Sequence, residues 1–244
     1  MKGDDSKEGY LAEAKQNLQE RTKAEVDGIV RLLRLEGSEK ILDIPCGYGR
    51  HSIELSKRGY RVTGSDINTA HLSKAKSDAQ KEGVVMIFQK ENMLDIIYDE
   101  EFDAIINMFY SFGFFVSDKD NFKALQNFCK ALKPGGKFLM HTDVNIPRII
   151  AGMYKENEVR HLRSGHTLHI IDKYNQKTKR IDGSWEITDG DRRVKKQYSM
   201  RVYTKEEFID LCTLAGFRSC EACSDWKGEK YNSEGEDMMI VASK

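Results

Sequence analysis

The spacing of apolar residues changes several times along the chain. From Tyr10 to Leu35, Val26, Ile29, Val30 and Leu33 recur three and four apart, the stripe of an amphipathic helix, and Gly37 supplies a stop. Lys40–Ile44 is a short apolar run ending in Pro45-Cys46-Gly47, a buried strand entering a turn. The pattern then predicts a helix over Gly49–Lys57, a second strand at Arg61–Ser65 and a polar helix over Asn68–Lys81 closed by Gly83. A third strand is expected at Val84–Gln89 and a fourth, apolar throughout, at Phe102–Asn107. Ser117–Leu132 reads as a helix stopped by Lys133-Pro134-Gly135-Gly136, and Lys137–Thr142 as the fifth strand. Strands alternating with helices imply an α/β fold, a doubly wound and mostly parallel sheet covered on both faces.

After Asp143 the texture shifts. Thr167–Tyr174, Arg180–Thr188 and Arg193–Tyr203 read as strands, with Asn175-Gln176-Lys177 and Asp189-Gly190-Asp191 as turns. This predicts an antiparallel β meander inserted into the α/β domain. Thr204 with Glu207 forms a capping box for a following helix that ends at Ala215-Gly216. Phe217–Ser224 and Met238–Ala242 are the last two strands. The expected organisation is an N-terminal helical lid (1–36), a cofactor-binding core (37–144), the inserted cap (145–203) and the closing helix and strands of the core (204–244).

Composition narrows the classes. Hydrophobic residues make up 39% of 244 residues and charged residues 32%, enough for a folded core. Acidic and basic residues balance at 39 each, which gives no general steering toward nucleic acid or an anionic membrane. The basic run Arg192-Arg193-Val194-Lys195-Lys196 reads as the solvated face of a hairpin. The start, Met1 to Glu8, is polar, and no apolar run approaches the roughly 20 residues of a membrane span. The expected location is therefore cytoplasmic, with five free thiols. Cys220-x-x-Cys223 lacks the second ligand pair that zinc needs, so no metal site is expected.

The chemistry concentrates in Ile41-Leu42-Asp43-Ile44-Pro45-Cys46-Gly47-Tyr48-Gly49-Arg50-His51-Ser52. A strand leads through a glycine turn into a helix, whose first N–H groups are free for a ligand. Asp66, at the end of the second strand, is placed to accept hydrogen bonds from both hydroxyls of a ribose. Gly47-x-Gly49-x-x-Ser52 lacks the third glycine of a dinucleotide fingerprint, and Asp43 would repel a pyrophosphate. A cofactor carrying an ammonium group suits it better. S-adenosylmethionine is thus favoured over a nicotinamide dinucleotide.

Asp43–Ser52, Gly64-Ser65-Asp66-Ile67, Phe102–Asn107 and Leu132-Lys133-Pro134-Gly135-Gly136 together resemble, in order, the landmarks of the class I S-adenosylmethionine-dependent methyltransferases. The resemblance implies a seven-stranded sheet whose final strand is antiparallel and inserted beside the fifth. It implies Asp43, Gly47 and Gly49 at the methionine end of the cofactor, Asp66 on the ribose, Ile67 against the adenine, and Asn92-Met93 at the adenine amino group. Asn92 stands where the family usually has an acid, and its side-chain oxygen still accepts a hydrogen bond. Asn107 ends the fourth strand beside the methyl-transfer centre. Arg21-Thr22 with Glu25 resembles a segment of glycine N-methyltransferases and related small-amine methyltransferases, which implies Arg21 on the cofactor's carboxylate.

Methyl transfer needs alignment more than a fixed catalytic set. The acceptor is expected at the carboxyl ends of the strands. Candidates are Tyr110 in the aromatic stretch after the fourth strand, with Phe112, Phe114 and Phe115, and His141 after the fifth. The meander adds His166, His169, Trp185 and Tyr198, and Arg201 and Tyr203, two apart, share one strand face. The lead reading is a small-molecule methyltransferase acting on an amine nitrogen, with a homodimer through the cap and no nucleic-acid or membrane partner. An O-methyltransferase, a nucleic-acid methyltransferase and a non-catalytic cofactor-binding module remain the alternatives.

Overall fold

The computed structural model describes residues 5–109, 111–162, 165–189, 192–235 and 237–244, with the backbone alone for 5–17, 189 and 192. In chain order come α1 (Asp5–Leu33), β1 (Lys40–Asp43), α2 (Arg50–Lys57), β2 (Arg61–Asp66), α3 (Thr69–Lys81), β3 (Ile87–Lys90), β4 (Phe102–Asn107), α4 (Asp118–Ala131) and β5 (Leu132–Thr142). A short helix α5 (Ile146–Ile150) leads to β6 (Asn157–His161), β7 (Thr167–Asn175), β8 (Arg180–Asp189) and β9 (Arg192–Arg201). The chain closes with α6 (Lys205–Ala215), β10 (Ser219–Cys223) and β11 (Met238–Ser243).

Seven strands form one sheet in the order β10-β11-β5-β4-β1-β2-β3. β11 runs antiparallel to both β10 and β5, while the β5-β4-β1-β2-β3 pairs are parallel. The antiparallel final strand therefore sits beside the fifth, as expected. The strand order reverses between β1 and β4, and the crevice at such a reversal is where open α/β sheets take ligands. Both faces of the central strands are buried, which is why they read as continuous apolar runs. Leu42, Ile105, Phe138 and Ile240 pack with Phe128 and Phe208 on one side. Ile41, Ile106, Leu139 and Met239 pack with Val26 and Ile29 of α1 on the other.

The remaining strands, β6 to β9, form a separate antiparallel sheet in chain order. Its root, Ile181 and Met200, joins the core cluster that holds Phe112 and Phe208. α6 starts with the expected capping box, Thr204 and Glu207 each accepting from the other's backbone N–H, and Gly216 ends it at φ 107°.

Several boundaries differ from expectation for physical reasons. β5 begins at Leu132, because Gly135 (φ 79°) lets the chain bulge and rejoin β4 after a register shift. β3 starts only at Ile87. It pairs with β2 alone at the sheet edge, so the apolar Val84-Val85-Met86 precedes it as a loop, with Val85 fully exposed. α5, capped by Asn145, is too short to show a period. β6 is polar and gains its conformation by pairing with β7. Cys220 packs into one core cluster and Cys223 into the other, so the two thiols face opposite sides of β10.

Candidate active site

Asp43 is the last residue of β1 and is 1% exposed. The turn after it carries Gly47 at φ 55° and Gly49 at φ 75°, a left-handed backbone that glycine adopts without strain. A Cβ at Gly47 would meet no protein atom within 4 Å, so the outer side of the turn is bare. Asp66 ties this turn to the end of β2. Its Oδ2 accepts from Gly47 N (2.9 Å) and its Oδ1 from Asn68 N (2.7 Å). Each oxygen retains a second lone pair for a ligand hydroxyl. Ile67 follows, 61% exposed, an apolar plate on the rim. Asn92 Oδ1 accepts from Leu94 N, and the Met93 sulfur lies 3.5 Å from Asn107 Nδ2. The neighbouring acid, Glu91, is turned toward Ser65 (2.6 Å) and Tyr98 (2.9 Å), which leaves Asn92 as the polar group on this side.

α1 closes over the same edge through an ion cluster centred on the buried Glu25. Arg21 Nε donates to Glu25 Oε1 (2.8 Å). Arg50 Nη1, from the first turn of α2, donates to Glu25 Oε2 and to Thr22 Oγ1 (3.0 Å). His51 Nε2 lies 3.0 Å from Glu25 Oε2. Burial pushes the Glu25 carboxyl up, but the hydrogen bonds from His51 and Arg50 and the Arg50 charge outweigh it and hold the pKa at about 2. Phe109, just past β4, lies under this cluster. Its ring centre is 5.2 Å from the Arg21 guanidinium and 4.6 Å from that of Arg50, and it stacks on His51.

On its other side Phe109 meets His141 edge-on at 4.9 Å. His141 is 1% exposed at the end of β5, with Nε2 3.4 Å from Asp237 Oδ1. Trp226 covers it at a ring-centre distance of 4.8 Å. Gly28 of α1 admits the indole: a Cβ there would lie 2.5 Å from the Trp226 ring. A cleft of about 660 Å³ between α1, α2 and α3 opens beside the cluster at Thr22, Tyr48 and Arg50.

A methyltransferase-domain family model matches residues 41–136. The glycine/sarcosine N-methyltransferase of Halorhodospira halochloris is 31% identical, over 92% of this chain and 82% of its own. The chain belongs to the class I S-adenosylmethionine-dependent methyltransferases. Among solved structures, an S-adenosylmethionine-dependent methyltransferase from Clostridium acetobutylicum superposes with TM-score 0.75 at 16% identity, covering 91% of each chain. CalS10, an amino pentose methyltransferase from Micromonospora echinaspora, superposes with TM-score 0.63 at 19% identity over 96% of each. These share the fold.

The methyltransferase's own atoms fit its cofactor. Asp43 Oδ1 and Asn107 Oδ1, at the carboxyl ends of β1 and β4, are buried and have no hydrogen-bond partner among the described residues, and the same holds for His141 Nδ1 on β5. Unsatisfied buried polar atoms are costly, and the first two suit a cofactor that brings donors. Asn107 Nδ2 is already committed to Ile44 O (2.7 Å), so its oxygen is the group it offers.

The other expected acceptor residues fall elsewhere. Arg201, 7% exposed, reaches Glu207 (3.3 Å) and Asp118 (3.5 Å) and lies over the Tyr203 ring. Tyr203, 4% exposed, donates to Asp118 Oδ1 (3.3 Å), and burial pushes its phenol pKa up. Both lie in the seam between cap, α4 and α6. Phe112 packs in the core against Phe208. His169 bonds Asn157 within the meander, and Tyr198 donates to Asp172. Tyr110 lies outside the described residues. Phe109, Trp226 and Asp237 were not singled out by the sequence. Trp226 sits in a polar loop whose composition gives no hint of an inward-facing ring. Among the described residues no cluster of three or more metal-ligating side chains occurs, and no helix is long and apolar enough to cross a membrane.

Proposed function

We propose that this methyltransferase acts on the nitrogen of a small amine, with His141 taking up the proton the amine sheds. The observation carrying this reading is the setting of His141. Nδ1 is bare and buried at the end of β5, Nε2 faces Asp237, and the ring lies between Phe109 and Trp226.

An aliphatic amine is mostly protonated at neutral pH and must lose a proton before its lone pair can attack. Asp237 beside Nε2 selects the tautomer that leaves Nδ1 as proton acceptor. The faces of Phe109 and Trp226 tolerate a cation and keep water away. Asp43, Gly47 and Gly49 take the methionine end, Asp66 the ribose, and Ile67, Asn92 and Met93 the adenine, while Asn107 faces the reacting end. Arg21 takes the cofactor's carboxylate. S-adenosylmethionine supplies the electrophilic methyl group. The 31%-identical relative from Halorhodospira halochloris is a glycine/sarcosine N-methyltransferase, which supports a nitrogen acceptor.

The test is methylation of a panel of small amines, amino sugars, phenols and carboxylic acids. Turnover is expected on amines, and turnover confined to phenols or acids would overturn the nitrogen reading. His141→Ala is expected to lower kcat by about 10²–10⁴-fold, the usual worth of a positioned base, with binding of S-adenosylhomocysteine intact.

A further inference from the structure

The ion cluster under α1 carries more positive charge than it neutralises. Arg21 and Arg50 each bring a guanidinium, and Glu25 is the carboxylate between them. His51 adds no charge at pH 7, since burial pushes its pKa down from 6.5. Neither guanidinium is used up. Arg21 bonds Glu25 through Nε, and Arg50 bonds both Glu25 and Thr22 through Nη1. Among the described residues the remaining nitrogens of both groups meet no hydrogen-bond partner. Both guanidiniums lie over the Phe109 ring, so two partly free donors converge on one point beside the end of β4. Arg50 also opens α2, whose N-terminal dipole adds to the positive potential there.

We infer that Arg21 and Arg50 form a two-armed clamp for the cofactor's carboxylate, and that Glu25 is the positioning residue that sets both arms. The inference rests on S-adenosylmethionine as cofactor and on Arg21 facing its carboxylate, and it extends that role to Arg50 and Glu25. A carboxylate docked there neutralises the surplus charge and accepts charge-assisted bonds from planar donors. Glu25 is 3% exposed and fixed by three partners, whereas the Arg21 side chain is 58% exposed and depends on Glu25 for its direction.

Calorimetric titration with two ligands tests this. S-adenosylhomocysteine has the amino-acid end, and 5′-methylthioadenosine keeps the adenosine and thioether without it. Arg50→Gln is expected to weaken S-adenosylhomocysteine by about 10–100-fold, the worth of a charge-assisted fork, and methylthioadenosine by no more than about 2-fold. Glu25→Gln is expected to weaken S-adenosylhomocysteine alone, by about 5–10-fold. Equal loss of both ligands would mean a structural role for these residues and would overturn the clamp. Tighter S-adenosylhomocysteine binding by Glu25→Gln would make Glu25 a competitor for the arginines and overturn its positioning role. If the parent protein bound neither ligand, the cofactor assignment itself would fall, a result distinct from both. Arg50→Gln leaves Glu25 paired with Arg21 and His51, so it stays informative should Glu25→Gln fail to fold.

Discussion

Ser52 Oγ donates to Asp43 Oδ2, and the other oxygen of that buried carboxylate has no partner among the described residues. Ser52 occupies the place where a dinucleotide fingerprint has its third glycine. In this chain that serine supplies a side-chain donor that holds Asp43. Burial pushes the Asp43 pKa up to about 7, with the Asp66 charge adding to it, against the Ser52 bond and the Arg50 charge. Asp43 therefore changes charge near neutral pH.

The first consequence is a pH dependence of cofactor binding. A ligand ammonium favours the ionised carboxylate, so affinity for S-adenosylhomocysteine should rise as pH climbs from 6 to 8. Asp43→Asn should bind about 10–100-fold more weakly, without that slope. Stability of the ligand-free protein should run the other way. The folded pKa lies above the unfolded value of about 3.9, so the unfolded chain binds fewer protons and stability falls as pH rises from about 4 to about 7. Asp43→Asn should then be more stable than the parent at pH 8, by about 1–3 kcal/mol. Titration at pH 6, 7 and 8 and denaturation from pH 4 to pH 8 check both arms, and a flat parent profile would contradict the shift.

Gly28 tests the coupling of α1 to the acceptor side. Ala is the better helix former by about 1 kcal/mol, yet a Cβ here would lie 2.5 Å from the Trp226 ring. Gly28→Ala should destabilise by about 1–3 kcal/mol through overpacking, displace Trp226 from His141, and shift the tryptophan emission. An unchanged spectrum with a raised Tm would show that the indole is not held against α1.

The fold was legible because its signals are local. Ile41 and Ile106 lie in runs that bury both faces, and Thr204-x-x-Glu207 announces its helix in four residues. The turn proposed to hold the cofactor was legible for the same reason, since Asp43, Gly47 and Gly49 lie within seven residues of one another. Asp66 needed only the next strand. The proposed acceptor side was not legible. It joins Gly28 of α1, Phe109 after β4, His141 after β5 and Trp226 before β11, and no short window contains two of these contacts. Arg201 and Tyr203 were expected to alternate on one strand, but β9 ends at Arg201, and the sequence could not show that Glu207, six residues on, and Asp118, on α4, converge on its guanidinium.

That convergence gives Arg201 a measurable signature. It links the last strand of the cap to the first turns of α4 and α6 while almost fully buried. Its carboxylate partners reach solvent, Asp118 at 64% and Glu207 at 27% side-chain exposure, so the loss is set chiefly by the buried Arg201 packing and hydrogen bonds, about 1–3 kcal/mol. Arg201→Met should lower Tm sharply, while the molecules that remain folded keep the parent's KM for the acceptor. A large rise in KM with Tm unchanged would instead place Arg201 on the acceptor.

Phe109 carries the most unusual backbone at the site. Its φ of 56° lies in the left-handed region, which costs a residue with a Cβ about 1–2 kcal/mol. Its ring is held by His51, His141 and the two guanidiniums. Truncating the ring should reduce turnover at least about 10-fold whichever residue replaces it, because it removes the wall shared by the clamp and His141. The two small replacements should nevertheless differ in stability. At most positions Ala is more stable than Gly, since glycine loses more chain entropy on folding. At a left-handed position the order reverses, and Phe109→Gly should exceed Phe109→Ala by about 1 kcal/mol. Equilibrium urea denaturation of the pair reads this difference directly. An Ala variant as stable as the Gly variant would show that the backbone after β4 relaxes once the ring is gone, so that the ring itself holds the turn in its strained form.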